Sequence, residues 1–225
     1  MTRLDLFESV FRSATRTVYE HASVQLRKVL VVTDLEGEAA EAYVSRVRAF
    51  LGALGELEIE GAHADCQSVG DLLDRVQEAR PELVVTYRNL FTDSWHWPYT
   101  LGDHAEVLTQ VTAVPVLLMP RPEAGAALER CRGTLRVMAV TDHLTGDDHL
   151  VNLAAAFTAR DGTLFLSHVE DDATFERYMV TIGRTRDVDT DIARKEIGEQ
   201  LLKEPRDYIE SCRGVLLEAG VALQI

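Results

Sequence analysis

Cysteine is scarce: three residues in 225, Cys66, Cys131 and Cys212. They lie far apart and form no C-x-x-C, which excludes a disulfide framework and fits reduced thiols. No stretch is apolar for long enough to span a bilayer. The N-terminus, Met1-Thr2-Arg3-Leu4-Asp5-Leu6-Phe7-Glu8, sets acids inside its apolar pattern and has no signal-peptide core. No block of like charge is long enough to make a disordered tail. Positive charge is also short, with 23 Lys and Arg against 37 Asp and Glu and a net charge of −14. Such a surface repels phosphate backbones and anionic lipid, so nucleic acid and membrane are excluded as partners. There is no G-x-S-x-G, and a catalytic triad has no anchor. What is left reads as a soluble, cytoplasmic protein. Its 46% hydrophobic and 27% charged content is an ordinary globular balance for one large domain or two small ones.

The apolar residues then give the elements. Leu4, Phe7, Phe11, Ala14 and Val18 recur at steps of three and four, predicting an amphipathic helix within residues 1–27 that docks on the body. Val29 to Val32 is β-branched without alternation, the mark of a strand buried on both faces. Glu36 to Leu54 reads as a helix and Leu57 to His63 as a strand. Ser68 caps a helix that stops before Pro81. Leu83 to Tyr87 is a second buried strand. A loop through Trp95, Trp97 and Pro98 leads to a helix with Leu101, Ala105, Leu108 and Val111, and Pro115 to Met119 is a further strand. This alternation points to βαβ units and a parallel sheet.

Residues 121–135 read as a linker, after which the pattern restarts. Lys28-Val29-Leu30-Val31-Val32-Thr33-Asp34 is echoed by Arg136-Val137-Met138-Ala139-Val140-Thr141-Asp142. Basic residue, Val, two apolar residues, Val, Thr and Asp match in order, an internal repeat. The second unit adds a helix with Leu150, Leu153, Ala154 and Phe157, and a strand at Thr163 to Val169. A short helix with Phe175, Tyr178, Met179 and Ile182 follows. A long helix from Asp191 to Ala219 is expected to break or kink near Pro205. A strand begins at Val221.

Three features are combined here: the apolar strand ending in Asp, the Leu166-Ser167-His168-Val169 strand, and Pro81-Glu82-Leu83-Val84-Val85 followed by Leu101-Gly102-Asp103 and Pro115-Val116-Leu117-Leu118. Together they resemble the universal stress protein family over residues 28–120 and 136–225. The resemblance implies open parallel α/β sheets of an adenine nucleotide alpha hydrolase-like, Rossmann-like fold, in tandem. It also implies a stress-response or regulatory role without catalysis, a homodimer, and ATP or AMP as ligand. Both copies depart from the family pattern of five strands. The first has one strand between Asp34 and Leu83 where the family has two. The second is truncated, with no counterpart of residues 83–119.

The resemblance also implies a site. Asp34 and Asp142 stand where the family's strand-1 Asp reads the adenine edge, and His168 and Val169 stand where strand 2 adds a backbone contact. A loop of pattern G-x2-G-x9-G-[S/T] cradles phosphate through backbone N–H groups in nucleotide-binding members. Here Arg88 to Asp103 keeps only Gly102, and Asp103 replaces the Ser or Thr. A carboxylate there repels phosphate, and Trp95, Trp97 and Tyr99 are expected to fill the cradle, so ATP binding by the first copy is expected to be weak or absent. Asp103 as a helix cap and Asp142 as a strand-end cap are the plainer alternatives. No metal site is expected: Asp142, His143, Asp147, Asp148 and His149 read as capping residues. Asp187 to Asp191 lacks the Gly and Glu of a calcium loop. Two other functions stay open, an interaction or dimerisation module that binds no nucleotide, and a phospho-acceptor receiver using Asp34 with His63-Ala64-Asp65.

Overall fold

The computed structural model describes residues 17–62, 66–97, 99–122, 133–183 and 190–224. The expected helix over Leu4 to Ala14 and the Asp187–Asp189 part of the acidic motif lie outside these residues, as do His63-Ala64-Asp65 and most of the 121–135 linker. The chain is an α/β protein with two all-parallel sheets. It divides into two compact units. One is Gln25–Gly133, and the other joins the described residues of Met1–Val24 to Thr134–Ile225. The segment ahead of the first strand therefore belongs with the second unit. Among the described residues no helix is long and apolar enough to cross a membrane.

The first unit is built from β1 (Lys28–Val32), α1 (Gly37–Phe50), β2 (Glu58–Ala62), α2 (Val69–Ala79), β3 (Leu83–Thr86), α3 (Asp103–Val111) and β4 (Val116–Leu118). Val29, Leu30, Val31 and Val32 are fully buried, as the lack of alternation predicts. Each contributes about 1.5–3 kcal/mol by leaving water. The helix expected to reach Leu54 ends at Phe50 and tightens into a 3-10 turn over Leu51–Leu54. Ser68 caps α2 in a reciprocal capping box with Asp71. The sheet order is β2-β1-β3-β4. The chain leaves β1 for one side of the sheet and returns to the other, so the strand order reverses between β1 and β3. Ligands of open α/β sheets bind beyond the carboxyl ends of strands at such a point.

The second unit holds β5 (Arg136–Thr141), α4 (Asp148–Phe157), β6 (Thr163–His168), α5 (Asp172–Ile182), α6 (Thr190–Glu218) and β7 (Ala222–Gln224), with sheet order β5-β6-β7. Its core joins Ala139, Leu164 and Leu166 of the sheet to Val151 of α4 and Tyr208, Cys212 and Leu216 of α6. Of the expected break or kink at Pro205, the break does not occur: α6 continues through it. Tyr19, ahead of β1, closes this core. Its hydroxyl donates to Asn152 Oδ1 at 2.7 Å, and its backbone N–H donates to Ser211 Oγ at 3.0 Å.

Candidate functional site

Asp34 follows β1 and Tyr87 follows β3, at the point where the strand order reverses. Their side chains are joined through a network with one self-consistent direction. The Tyr87 hydroxyl donates to Asp34 Oδ1. Its oxygen then accepts from Thr33 Oγ1 at 2.6 Å and from the Asp34 N–H at 3.1 Å. Thr33 Oγ1 in turn accepts from the Leu35 N–H at 3.1 Å. Tyr87 is fully buried and meets Tyr43 of α1 edge to face at 5.2 Å. Burial, reinforced by the bond to Asp34, pushes its phenol well above the ordinary value, so the hydroxyl remains a donor.

The second carboxylate oxygen of Asp34 takes two more donors. The Phe91 N–H reaches it at 2.8 Å, and the Arg121 guanidinium at 3.0 Å from just beyond β4. Arg121 also donates to the Asn89 carbonyl at 2.9 Å, and its guanidinium lies 5.0 Å from the centre of the Tyr87 ring. Both partners are largely withdrawn from water, with 10% of the Asp34 side chain and 13% of the Arg121 side chain exposed. One carboxylate thus ties together the ends of β1, β3 and β4.

The loop after β3 is shaped to reach it. Asn89 and Phe91 both adopt left-handed backbone, at φ 59° and 57°. Asn tolerates this; a bulky Phe does so at a cost of about 1–3 kcal/mol, and its N–H bond to Asp34 holds it there. Asn89 also closes the loop. Its N–H donates to the Leu101 carbonyl at 2.6 Å, its side-chain amide to the Thr100 carbonyl at 3.2 Å, and its Oδ1 accepts from Thr100 Oγ1 at 2.9 Å. Gly102 sits against this closure at φ 80°, where an added Cβ would stand 2.8 Å from the Asn89 Cα. Beside the network opens a cleft of about 610 Å³ lined by Asp34, Leu35, Gln67, Phe91 and Arg121. His104, on α3, fixes one wall: its Nε2 is 2.9 Å from the Gln67 carbonyl oxygen and its ring 5.1 Å from that of Phe91.

Asp34 and Gly102 are therefore brought into one network, through Phe91 and Asn89. Two expectations about this loop are corrected. Trp97 and Tyr99 do not fill a cradle: they are 69% and 95% exposed, and the Trp95 side chain lies outside what the structure describes. The N-cap of α3 is Gly102, with Asp103 inside the first turn beside Glu106. Two acids there complement the helix dipole and oppose an incoming phosphate.

In the second unit, Thr141 pairs in register with His168, so Asp142, His168 and Val169 lie at neighbouring strand ends. Asp142 is exposed and pairs with His143 Nδ1 at 3.0 Å. His168 is half-buried, with 8% of its side chain exposed and Nε2 2.7 Å from Glu170 Oε1. Its Nδ1 and the hydroxyl of Thr145 are buried without a hydrogen-bond partner among the described residues. The Val169 N–H is taken by the Thr141 carbonyl at 3.0 Å. Asp147 caps α4, and Asp148 accepts from the Tyr208 hydroxyl at 2.5 Å and the Glu20 N–H at 3.3 Å.

Tyr87, Asn89 and Arg121 were not singled out in the sequence. The one signal for Tyr87 is a phenol following the strand Leu83-Val84-Val85-Thr86; Arg121, straight after the strand-ending Pro120, has a comparable position. No protein-family model, curated protein or solved structure matches this chain.

Proposed function

We propose that this chain is a stress-response or regulatory protein of universal stress protein type, without catalytic activity. Adenine nucleotide (ATP or AMP) is bound weakly or not at all by the first unit, and any retained binding falls to the second. The observation that carries this reading is the Asp34 carboxylate. Its oxygens already serve Tyr87, Phe91 and Arg121, so reading a base edge would require breaking a charge-assisted contact. The acids opening α3 add a penalty for phosphate. Asp142, by contrast, is exposed, and the neighbouring strand ends in His168, whose buried Nδ1 has no hydrogen-bond partner among the described residues.

Calorimetry with ATP and AMP tests it. Any binding by the wild type should survive Asp34→Asn and disappear in Asp142→Ala. Binding that survives Asp142→Ala and disappears in Asp34→Asn would move the site to the first unit. A chain that binds neither nucleotide would support the second reading, an interaction module without nucleotide. That reading is favoured by Trp97 and Tyr99, two large aromatics held out in solvent on a loop whose base is pinned by Asn89.

A further inference from the structure

The segment ahead of β1 belongs to the second unit, yet over residues 17–24 it is neither helix nor strand. Among the described residues no main-chain partner holds Tyr19 to Ala22. Side chains of α4 and α6 read their backbone instead. The Tyr19 N–H donates to Ser211 Oγ at 3.0 Å, and the Glu20 N–H to Asp148 Oδ2 at 3.3 Å. Asn152 serves two groups with one amide. Its Nδ2 donates to the Glu20 carbonyl at 3.3 Å, and its Oδ1 accepts from the Ala22 N–H at 3.1 Å. One side chain anchors the segment. Tyr19 is 3% exposed, meets Tyr208 edge to face at 6.3 Å, and gives its hydroxyl to Asn152 Oδ1. Its neighbours Thr17, Val18, Glu20, His21, Ala22 and Ser23 are exposed.

The receiving side chains are set by one another. The Tyr208 hydroxyl donates to Asp148 Oδ1 at 2.5 Å, and the Ser211 hydroxyl to the Tyr208 carbonyl at 2.6 Å. Asp148 and Asn152 stand one turn apart on α4, as Tyr208 and Ser211 do on α6, so each pair shares a face. A fixed row of polar side chains on main-chain groups, with one pocket for an aromatic ring, is the chemistry of peptide recognition. The main-chain bonds hold the peptide and the anchor selects it. We propose that the groove between α4 and α6 binds a tyrosine-bearing segment of a partner protein, and that residues 19–22 occupy it in cis and keep it closed. The occupant seated there defines what the groove accepts. Tyrosine is favoured over phenylalanine because its hydroxyl donates to the buried Asn152. The first and third residues after it must offer an N–H, which excludes proline, while their exposed side chains are unrestricted. Being tethered, the cis segment competes at an effective concentration of about a millimolar, so a partner enters only as that segment is displaced. The groove does not depend on whether either unit binds nucleotide.

Fluorescence anisotropy of a labelled synthetic peptide of residues 17–24, titrated with the full chain, tests the proposal, with far-UV circular dichroism as a folding control. Tyr19→Ala in the chain empties the anchor pocket and should bind the peptide at least about tenfold more tightly than wild type. Adding Asn152→Ala should weaken that binding at least about tenfold. Within the peptide, Glu20→Ala should be tolerated, whereas Tyr19→Ala and Ala22→Pro should each abolish binding. A folded Tyr19→Ala chain that takes no peptide overturns the proposal. So does binding equal to that of wild type, or indifferent to Asn152 or to the peptide's tyrosine. If Tyr19→Ala does not fold, a site-specific protease sequence inserted between Val24 and Gln25 takes its place. Once cut, the otherwise wild-type chain should stay folded and exchange its own segment for a labelled peptide of residues 1–24. A segment that never exchanges, or a cut chain that unfolds, shows core rather than ligand and overturns the proposal.

Discussion

The Arg121 guanidinium stands 3.0 Å from Oδ2 of Asp34, joining residues 87 positions apart beyond the ends of two strands that are not neighbours in the sheet. With β3 between those strands, the pair acts as a strut across the carboxyl end of the sheet. Removing one partner of a largely buried ion pair leaves a charge without its counterion. Asp34→Ala is therefore expected to cost about 3 kcal/mol, and Arg121→Met less, because Asp34 keeps Tyr87 and Phe91 as donors. The double variant should cost less than the sum by about 1 kcal/mol or more. Urea denaturation followed by tryptophan emission measures this, since both tryptophans, Trp95 and Trp97, lie in the loop that this strut supports.

Gly102 gives a prediction that separates two costs of replacing glycine. At Gly55, φ is 98° and an added Cβ meets nothing within 4 Å. Gly55→Ala therefore pays only for backbone conformation, about 1 kcal/mol. At Gly102 the same change adds a Cβ 2.8 Å from the backbone of Asn89, which cannot rotate away. The expected loss is about 2–3 kcal/mol. The loop closure should loosen with it, so Gly102→Ala alone should shift tryptophan emission under native conditions. Equal losses at the two positions would show that the close approach contributes nothing.

Much of the fold was legible because buried parallel strands leave a direct trace. Val29–Val32 and Leu83–Val85 are apolar on both faces, and of the helices between them α2 carries a clear cap. β5 is the instructive exception. Its sequence echoes β1, yet Met138 and Val140 are exposed where Leu30 and Val32 are buried. Periodicity reports a strand's composition, whereas exposure depends on what lies across its face and edge. The site was less legible. Asp34 and Gly102 were found through a pattern, but their contacts run through Tyr87, Asn89 and Arg121, which converge only once the chain crosses the sheet. Left-handed backbone at Phe91 has no sequence signature, since the residue adopts it only because Asp34 holds its N–H. Pro205 does not end its helix, for a local reason: proline removes one helical hydrogen bond, and a long helix anchored by Tyr208, Cys212 and Leu216 tolerates that loss.

Asn152 binds the segment ahead of β1 to the second unit. Its Oδ1 accepts from the Tyr19 hydroxyl at 2.7 Å and the Ala22 N–H at 3.1 Å, and its Nδ2 donates to the Glu20 carbonyl at 3.3 Å. Asn152→Ala leaves the Tyr19 hydroxyl with His21 Nδ1, 3.0 Å away, and removes the side-chain partners of the Ala22 N–H and the Glu20 carbonyl, and should cost about 1–2 kcal/mol. Local release should exceed global loss. The Tyr19 and Ala22 amides should lose hydrogen-exchange protection well before those of β6, as expected of a segment held by few contacts. Protection falling equally in β6 would mean that Asn152 supports the whole core instead.

Cys212 makes the alkaline limb of stability predictable. Burial first, and the nearby Asp148 second, push its thiol up from 9.0 to about 12. The thiol donates to the Tyr208 carbonyl at 3.3 Å. The sign follows from proton counting. Between these two values the unfolded chain has released a proton that the folded chain keeps, so raising the pH favours unfolding. This contribution is complete below about pH 9 and is lost as the pH rises through about 12. The phenols of Tyr19 and Tyr208 are also raised, chiefly by burial, and steepen the loss above pH 10. Urea midpoints should therefore fall progressively above pH 9, with a shallower slope in Cys212→Ala. Alkylation mapped by mass spectrometry gives a second check. Cys212 should resist iodoacetamide at pH 8.5 in the folded chain and react readily in urea, because the thiolate is the nucleophile. Ready labelling of Cys212 in the folded chain at that pH would contradict a buried, protonated thiol.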